Sequence, residues 1–429
     1  MPRKKGIEEQ LKAAHAEVGD TIKIMRKDEQ YEGVLMPHHE FSDSDIITIK
    51  LNTGYNIGVA VDHDTTITLV NKHKATQKQI KTIPHDPNKP TISIISTGGT
   101  IACYIEYRTG AVHPASSAEE LAFSVPEIFD ICNVKSQVAY QMLSENIEPC
   151  HWQTLAEKIA EELNHGAAGV VIPHGTDTLG YTAAALSFLL KNLSGPVVLV
   201  GAQRSSDRPS SDAAQNLMAA ARVAATSDIG EVVIVMHGEI SDTVSTIHRG
   251  TKVRKLHTSR RDAFKTVNEE PLGTVENNGI TMKGSYRKKT AGPVIVDKKM
   301  EEDVALVYFY PGMKPEDIPK KKGLVLVGTG LGHVSIKLMP RITHLIKEGT
   351  TIVMTSQCLF GRVNMRVYSA GRDLLTAGVI SGEDMLPETA FVKLMWTLGQ
   401  TKNKEEREKL MLSNIAGEIS ERIKSDAFL

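Results

Sequence analysis

Two short runs in this 429-residue sequence carry side chains suited to acyl chemistry. The first, T-G-G-T-I-A (Thr97 to Ala102), directly follows the apolar run Ile92–Ser96. The second, H-G-T-D-T (His174 to Thr178), directly follows Gly169–Pro173. Open α/β sheets bind ligands beyond the carboxyl ends of their strands, so both runs stand where a site would form. A threonine hydroxyl is a weak nucleophile near neutral pH and needs a base or proton relay within hydrogen-bond reach. Thr100 offers such a hydroxyl, and Thr176 with Asp177 offers a second hydroxyl and a carboxylate from another strand end. Backbone N–H groups near Gly98, Gly99 and Gly175 are natural donors to the oxyanion of a tetrahedral intermediate. Each run also has a plainer reading. TGGT reads equally well as a tight turn, and it lacks the Lys-Ser/Thr ending of a phosphate loop. G-T-G-L-G-H at Gly328–His333 imitates a dinucleotide loop without its third glycine, and His174 reads as a structural hydrogen-bonder.

Positioning such loops calls for a parallel sheet. Strand-like runs Ile92–Ser96, Gly169–Pro173, Val197–Val200 and Val232–Met236 alternate with helical segments His151–Leu163, Thr182–Lys191 and Asp212–Ala225. Apolar strands alternating with amphipathic helices predict a mainly parallel sheet covered on both faces. After a polar break at Lys283–Asp303 the alternation restarts with Val304–Phe309, Leu324–Val327 and Thr351–Thr355, with helices after the last two. A final helix is predicted over Lys404–Lys424, with Leu412, Ile415, Ala416, Ile419 and Ile423 on one face. At the other end, β-rich segments Asp20–Ile24, Tyr31–Met36, Ile46–Leu51 and Thr66–Val70, separated by Gly33, Gly54 and polar turns, predict a small barrel. Asn71–Pro90, with five lysines and three prolines, reads as a linker. The expected units are a module over 1–84 with its linker to 90, an α/β domain over 91–297 and a second over 303–429.

Composition narrows the function. Fifty Lys plus Arg against 51 Asp plus Glu give a net charge of −1. A protein gripping nucleic acid through phosphates is normally more basic, so any such contact is local or carried by a partner. The apolar runs are too short to span a membrane. The N-terminal MPRKKGIEEQ lacks the apolar stretch of a secretory signal, so the expected compartment is the cytoplasm. Four scattered cysteines without a CxxC pair indicate neither a disulfide framework nor a zinc site.

Together, the two threonine-bearing runs resemble the signature motifs of the bacterial-type (type I) asparaginases. The resemblance continues through L-H-T-S-R-R-D-A-F (Leu256–Phe264), G-R-V-N-M from Gly361 and A-G-R-D-L-L-T-A-G-V-I from Ala370. It spans about Thr91 to Gly399, roughly seven tenths of the chain. Free asparaginases do not begin with a ninety-residue β-rich extension, and an asparaginase-like body behind such a module is similar to the D subunits of archaeal glutamyl-tRNA(Gln) amidotransferases. The module itself resembles SH3-like or Sm-like barrels in its glycine placement. The resemblance implies an α/β fold: two asparaginase-like parallel-sheet domains preceded by a small SH3/Sm-like β-barrel. It implies a glutaminase that releases ammonia for a partner, the amidotransferase E subunit, which activates the misacylated tRNA. It further implies a heterodimer with that partner assembled as a dimer of heterodimers, a homodimer of this chain, and Glu-tRNA(Gln) held mainly by the partner. ATP and Mg are expected on the partner, with no cofactor, metal or membrane contact in this chain.

Carried over by position, the resemblance makes Thr100 the nucleophile, Thr176 and Asp177 the second catalytic pair, and Lys255 of V-R-K-L-H the catalytic lysine. It makes Tyr107 the tyrosine of a loop closing over the nucleophile and Ser144 of L-S-E-N a binder of the substrate carboxylate, with Gly99 and Gly175 beside the substrate. A lysine serves as base only when burial lowers its pKa, and a neighbouring carboxylate opposes that, so Asp177 is expected chiefly to orient the group or bind the substrate's α-ammonium. Two features depart from the family. Between Thr350 and Arg372 there is no Asp or Glu, where free asparaginases lend an acidic residue to a neighbouring subunit's site. The G-x-G-N-G position reads Gly-Thr-Gly-Leu331-Gly. Two rival readings follow: a free cytoplasmic L-asparaginase with an accessory barrel, and a non-catalytic RNA-binding adaptor using the barrel and the basic stretch Lys252–Arg261. For the barrel alone, a docking module without chemistry and an RNA contact both remain open.

Overall fold

The computed structural model describes residues 5–27, 29–36, 45–51, 56–72, 84–98, 103–105, 112–114, 125–204, 211–276 and 279–423. Alternating apolar side chains organise the N-terminal module. β1 (Thr21–Arg26), β2 (Glu29–Leu35), β3 (Ile46–Lys50), β4 (Asn56–Ala60) and β5 (Thr66–Asn71) form an antiparallel sheet in the order β4-β3-β2-β1-β5. Ile22, Ile24, Leu35, Ile47, Ile49, Val59 and Ile67 face inward, and the helix Lys5–Ala13 adds Ile7 and Leu11 to the same core. Gly33 is required where β2 meets β3, because a Cβ there would stand 2.4 Å from the Lys50 carbonyl oxygen. β4, N-I-G-V-A, carries a glycine at its centre, which blunts its strand signal in the sequence.

The parallel part of the second sheet consists of β6 (Thr91–Ser96), β9 (Asn133–Val138), β10 (Val170–Pro173), β12 (Val197–Val200) and β13 (Val232–His237). β10, β12 and most of β6 and β13 are buried Val, Ile and Leu, as strands covered on both faces require, while the edge strand β9, N-V-K-S-Q-V, is largely polar and only partly buried. The helices Pro149–Asn164, Leu179–Leu189 and Ala213–Thr226 lie against it. An antiparallel extension, β14 (Val244–Arg249), β17 (Gly273–Glu276) and β18 (Gly279–Met282), was not legible. β14 buries Ser245, Thr246, His248 and Arg249, so it offers no apolar run to read. The whole sheet runs β18-β17-β14-β13-β12-β10-β6-β9. Short hairpins pair β7 (Cys103–Ile105) with β8 (Val112–Pro114) and β15 (Val253–Lys255) with β16 (Phe264–Thr266); β11 (Leu190–Lys191) pairs with β19 (Ile295–Val296).

A third sheet, all parallel, orders β20 (Val304–Tyr308), β21 (Gly323–Gly328), β22 (Thr351–Ser356) and β23 (Ile380–Ser381). The helix Pro387–Gln400 packs between this sheet and the mostly apolar, largely buried helix Leu179–Leu189, stacking Trp396 on Phe188 with ring centroids 6.0 Å apart. The Gly328–His333 run is a tight turn: Thr329 bridges His333, and Gly330 and Gly332 take φ of +51° and +96°. The expected terminal helix is corrected. It spans only Lys404–Leu412, and residues 413–420 form a non-helical strap. Gly417 sits at φ +79° against the Arg249 side chain, and the buried Glu418 carboxylate takes the backbone N–H groups of Ile415 and Ala416. Those polar ties outweigh the helical apolar spacing.

Candidate active site

The strand-end loops converge. Thr97 follows β6; its Oγ1 donates to the Pro173 carbonyl at 2.9 Å, and its own carbonyl accepts from Met142 N–H at 3.3 Å. Gly98 adopts φ +95°, and a Cβ there would come within 2.7 Å of the Met142 carbonyl oxygen, so only glycine fits the start of the TGGT turn. Gly99, Thr100 and Tyr107 lie outside the described residues.

On the neighbouring strand, β10 delivers His174–Thr178. Thr176 is half-buried and Asp177 exposed. Lys255 Nζ donates to Thr176 Oγ1 at 2.9 Å and to Asp177 Oδ1 at 2.8 Å, across nearly eighty residues of sequence. Gly175 lies against Ser144: a Cβ on Gly175 would stand 2.8 Å from Ser144 Oγ, and Thr178 Oγ1 donates to the Ser144 carbonyl at 2.7 Å. Ser144 begins a single 3-10 turn, Ser144–Asn146, and is buried. The structure therefore groups Thr176, Asp177, Lys255, Gly175 and Ser144 at one end of the sheet, beside Thr97 and Gly98.

His174 is fully buried, and its Nδ1 donates to the Gly175 carbonyl at 2.7 Å. Burial pushes its pKa down to about 4, so it is neutral at neutral pH and buttresses the loop from below.

The cations of the basic stretch Lys252–Arg261 are paired with carboxylates of the same chain, Lys252 in the interior and Arg260 and Arg261 nearer the surface. Lys252 pairs with Asp384 at 2.5 Å, Arg254 with Glu388 at 3.0 Å, Arg260 with Asp262 at 2.8 Å and Arg261 with Asp242 at 2.5 Å. The Arg260 guanidinium holds the Asp262 carboxyl at about 2. These pairings leave little of the stretch to meet a phosphate backbone, against the adaptor reading. Lys252 and Arg254 instead fasten the strand carrying Lys255 to the C-terminal sheet's connections. Sequence reasoning saw these cations but not their partners, which lie more than 130 positions away. It also missed Gly201, whose backbone abuts the Thr176 methyl; its one signal was a glycine directly after an apolar strand.

Family models agree with this architecture. Residues 91–288 match "Asparaginase, N-terminal", 303–411 match "Glutaminase/Asparaginase C-terminal domain" and 16–70 match "GatD N-terminal domain". Among solved structures, the thermostable L-asparaginase from Thermococcus kodakarensis superposes with a TM-score of 0.70 at 31% identity, covering 77% of this chain and 100% of that one. L-asparaginase I from Vibrio cholerae gives 0.67 at 30% identity, covering 77% and 99%. The glutamyl-tRNA(Gln) amidotransferase D subunit of Pyrococcus furiosus is 53% identical over 436 residues, covering 99% of both chains. That of Thermococcus kodakarensis is 49% identical, covering 99% of this chain and 100% of its own. With the N-terminal module matched as well as the asparaginase-like body, this chain belongs to the family of glutamyl-tRNA(Gln) amidotransferase D subunits.

Proposed function

We propose that this chain hydrolyses glutamine through Thr100 and supplies the ammonia for converting Glu-tRNA(Gln) to Gln-tRNA(Gln) on a partner, the amidotransferase E subunit, in the cytoplasm. The observation that carries the reading is the full-length match: the D subunits align over 99% of the chain, the free asparaginases over 77%. The chain divides for this purpose into a docking module over 1–84 with its linker to 90, a catalytic domain over 91–297 and a second α/β domain over 303–429. ATP and Mg act on the partner, which also holds most of the tRNA, and the assembly is a dimer of D–E heterodimers.

The chemistry follows from the grouped side chains. Thr100 Oγ attacks the carboxamide carbon, and its proton passes to the relay of Thr176, Lys255 and Asp177. Because Lys255 donates to Thr176 Oγ1, the Thr176 hydroxyl proton is left for another partner. The oxyanion is held by backbone N–H groups near Gly98, Gly99 and Gly175. Cleavage of the C–N bond releases ammonia, which takes a proton from the relay, and water then hydrolyses the threonyl ester to glutamate. Ser144, in contact with Gly175, binds the substrate carboxylate, and Tyr107 closes over the nucleophile.

A free glutaminase would waste glutamine, so turnover should wait for the acceptor. Ammonia release is measured with glutamine and with asparagine, for the isolated chain and for the chain with its partner and Glu-tRNA(Gln). The expected result is preference for glutamine and a rise of at least about tenfold, about 1.4 kcal/mol in the barrier, when the acceptor is loaded. Full speed on asparagine by the isolated chain would establish the free-asparaginase reading instead.

A further inference from the structure

A buried polar cluster lies behind Thr176 and has no part in the mechanism above. Asp212 and Asn216, at the start of the helix Ala213–Thr226, and His237, at the end of β13, are each wholly buried. Buried polar groups are costly unless satisfied, and these satisfy one another. The Asp212 carboxylate accepts from Gln203 N–H at 3.0 Å, Arg204 N–H at 2.9 Å and Asn216 Nδ2 at 2.9 Å. Asn216 Oδ1 lies 2.6 Å from His237 Nδ1, and His237 Nε2 lies 3.0 Å from Asp242 Oδ1.

One bond leads from this cluster toward the site. Asn216 Nδ2 donates to the Gly201 carbonyl at 3.0 Å. The Gly201 N–H is engaged too, at 3.3 Å from Met236 Sδ, so the residue is tied at both its N–H and its carbonyl. Gly201 directly follows β12, and β12 is the parallel neighbour of β10. A Cβ on Gly201 would fall 2.7 Å from Thr176 Cγ2 and 3.0 Å from the His174 carbonyl oxygen. The bare Cα of Gly201 is therefore a wall for the Thr176 methyl. Threonine χ1 has three staggered wells, and its methyl and hydroxyl exchange places among them. With the methyl against the wall, Oγ1 faces Lys255 at 2.9 Å. A rotation that lifts the methyl away also carries Oγ1 away from the ammonium.

We infer that Gly201, held by Asn216, is a positioning residue that selects the Thr176 rotamer in which the hydroxyl meets Lys255. The inference rests on the reading of Thr176 as a relay group. It explains why an Asp–Asn–His cluster is kept in an otherwise apolar layer, and why position 201 has no side chain.

The test uses the full chain assembled with its partner and follows glutamine hydrolysis. Gly201→Ala forces the Thr176 methyl off the wall and should lower kcat about 10- to 100-fold with KM within about threefold. Thr176→Ser keeps the hydroxyl but removes the methyl on which the wall acts, and should lower kcat about three- to tenfold. The double variant Gly201→Ala/Thr176→Ser loses the 2.7 Å methyl clash and keeps only the 3.0 Å approach to the His174 carbonyl oxygen, so it should recover most of the Gly201→Ala loss and lie within about threefold of Thr176→Ser alone, a rescue that general loosening of the fold would not give. Wild-type turnover in Gly201→Ala overturns the inference, and so does a double variant whose loss is the product of the two single losses. Wild-type kcat in Thr176→Ser overturns it independently of how well Gly201→Ala folds. If Thr176→Ala abolishes hydrolysis while Gly201→Ala is unaffected, only the positioning role falls; if Thr176→Ala is active, the relay reading falls and takes the inference with it.

Discussion

Lys252 and Asp384 form an ion pair of 2.5 Å with both side chains fully buried, and this pair separates the two lysines of the K-V-R-K segment. Lys252 turns into the seam with the C-terminal sheet, while Lys255, three residues on, reaches the hydroxyl of Thr176. A lysine that anchors and a lysine that reaches the site are distinguishable by experiment. Lys252→Ala leaves Asp384 buried without its cation and should cost about 3–5 kcal/mol of stability. Lys255→Ala removes a partly exposed pair and should cost less than about 1 kcal/mol while abolishing most hydrolysis. Denaturant midpoints for both variants, beside their ammonia release, check this; a destabilised Lys255→Ala with normal turnover would reverse the assignment.

Thr176, Asp177 and Lys255 touch one another, so they should fail as a unit. Single alanine variants are expected to lose about 10²–10⁴ in rate and double variants scarcely more, because a relay cut once is already cut. Strictly additive losses in kcat would show independent roles.

Acid sensitivity should come from buried neutral histidines. Burial pushes His174 down to about 4 and His248 down to about 3, below the value near 6.5 of an exposed histidine. Below pH 6.5 the unfolded chain binds protons that the folded chain refuses. The stability these groups contribute is complete above pH 6.5 and is lost as pH falls toward 4. For His174 the loss should be roughly 2 kcal/mol between pH 7 and pH 5. Urea unfolding at the two pH values, for wild type and for His174→Asn, measures it; equal slopes with pH in both proteins would assign the sensitivity elsewhere.

The N-terminal module should be dispensable for the chemistry. Its core, built on Ile22, Ile24, Ile47 and Ile49, forms a cluster distinct from the one beneath the site. Asp86 and Lys89 already belong to the body, through Asn133 Nδ2 bonds to their carbonyls. A chain lacking residues 1–84 should keep its fold and most of its glutamine hydrolysis, read by circular dichroism and ammonia release. Loss of fold would make the module part of the body's core.

What the sequence shows and what it hides divide along physical lines. Val197–Val200 is legible to the residue because a strand buried on both faces must be an unbroken apolar run. The place of Thr176 and Asp177 at the carboxyl end of β10 is legible because they directly follow an apolar strand, whereas their contact with Lys255 is not, since that residue lies nearly eighty positions on. β14 is hidden because its buried His248 and Arg249 pair with Thr266 and Glu231 on other strands and loops instead of packing as apolar side chains. The terminal helix is overextended for the same reason: Ile415 and Ile419 keep helical spacing, but Glu418 and Lys393 pair at 2.5 Å in the interior and bend the chain into a strap. The Gly201 wall is hidden because its meaning lies in the missing Cβ beside a methyl 25 residues earlier. Long-range polar pairing is the part of this fold that periodicity does not encode.

The most direct test is ammonia release from glutamine by Thr100→Ala, assembled with its partner and supplied with Glu-tRNA(Gln). Loss of the nucleophile should lower the rate by about 10⁴–10⁶, with Thr100→Ser retaining measurable activity because a hydroxyl remains. A folded Thr100→Ala protein that still turns over glutamine at near the wild-type rate would contradict the covalent mechanism and the site built around it.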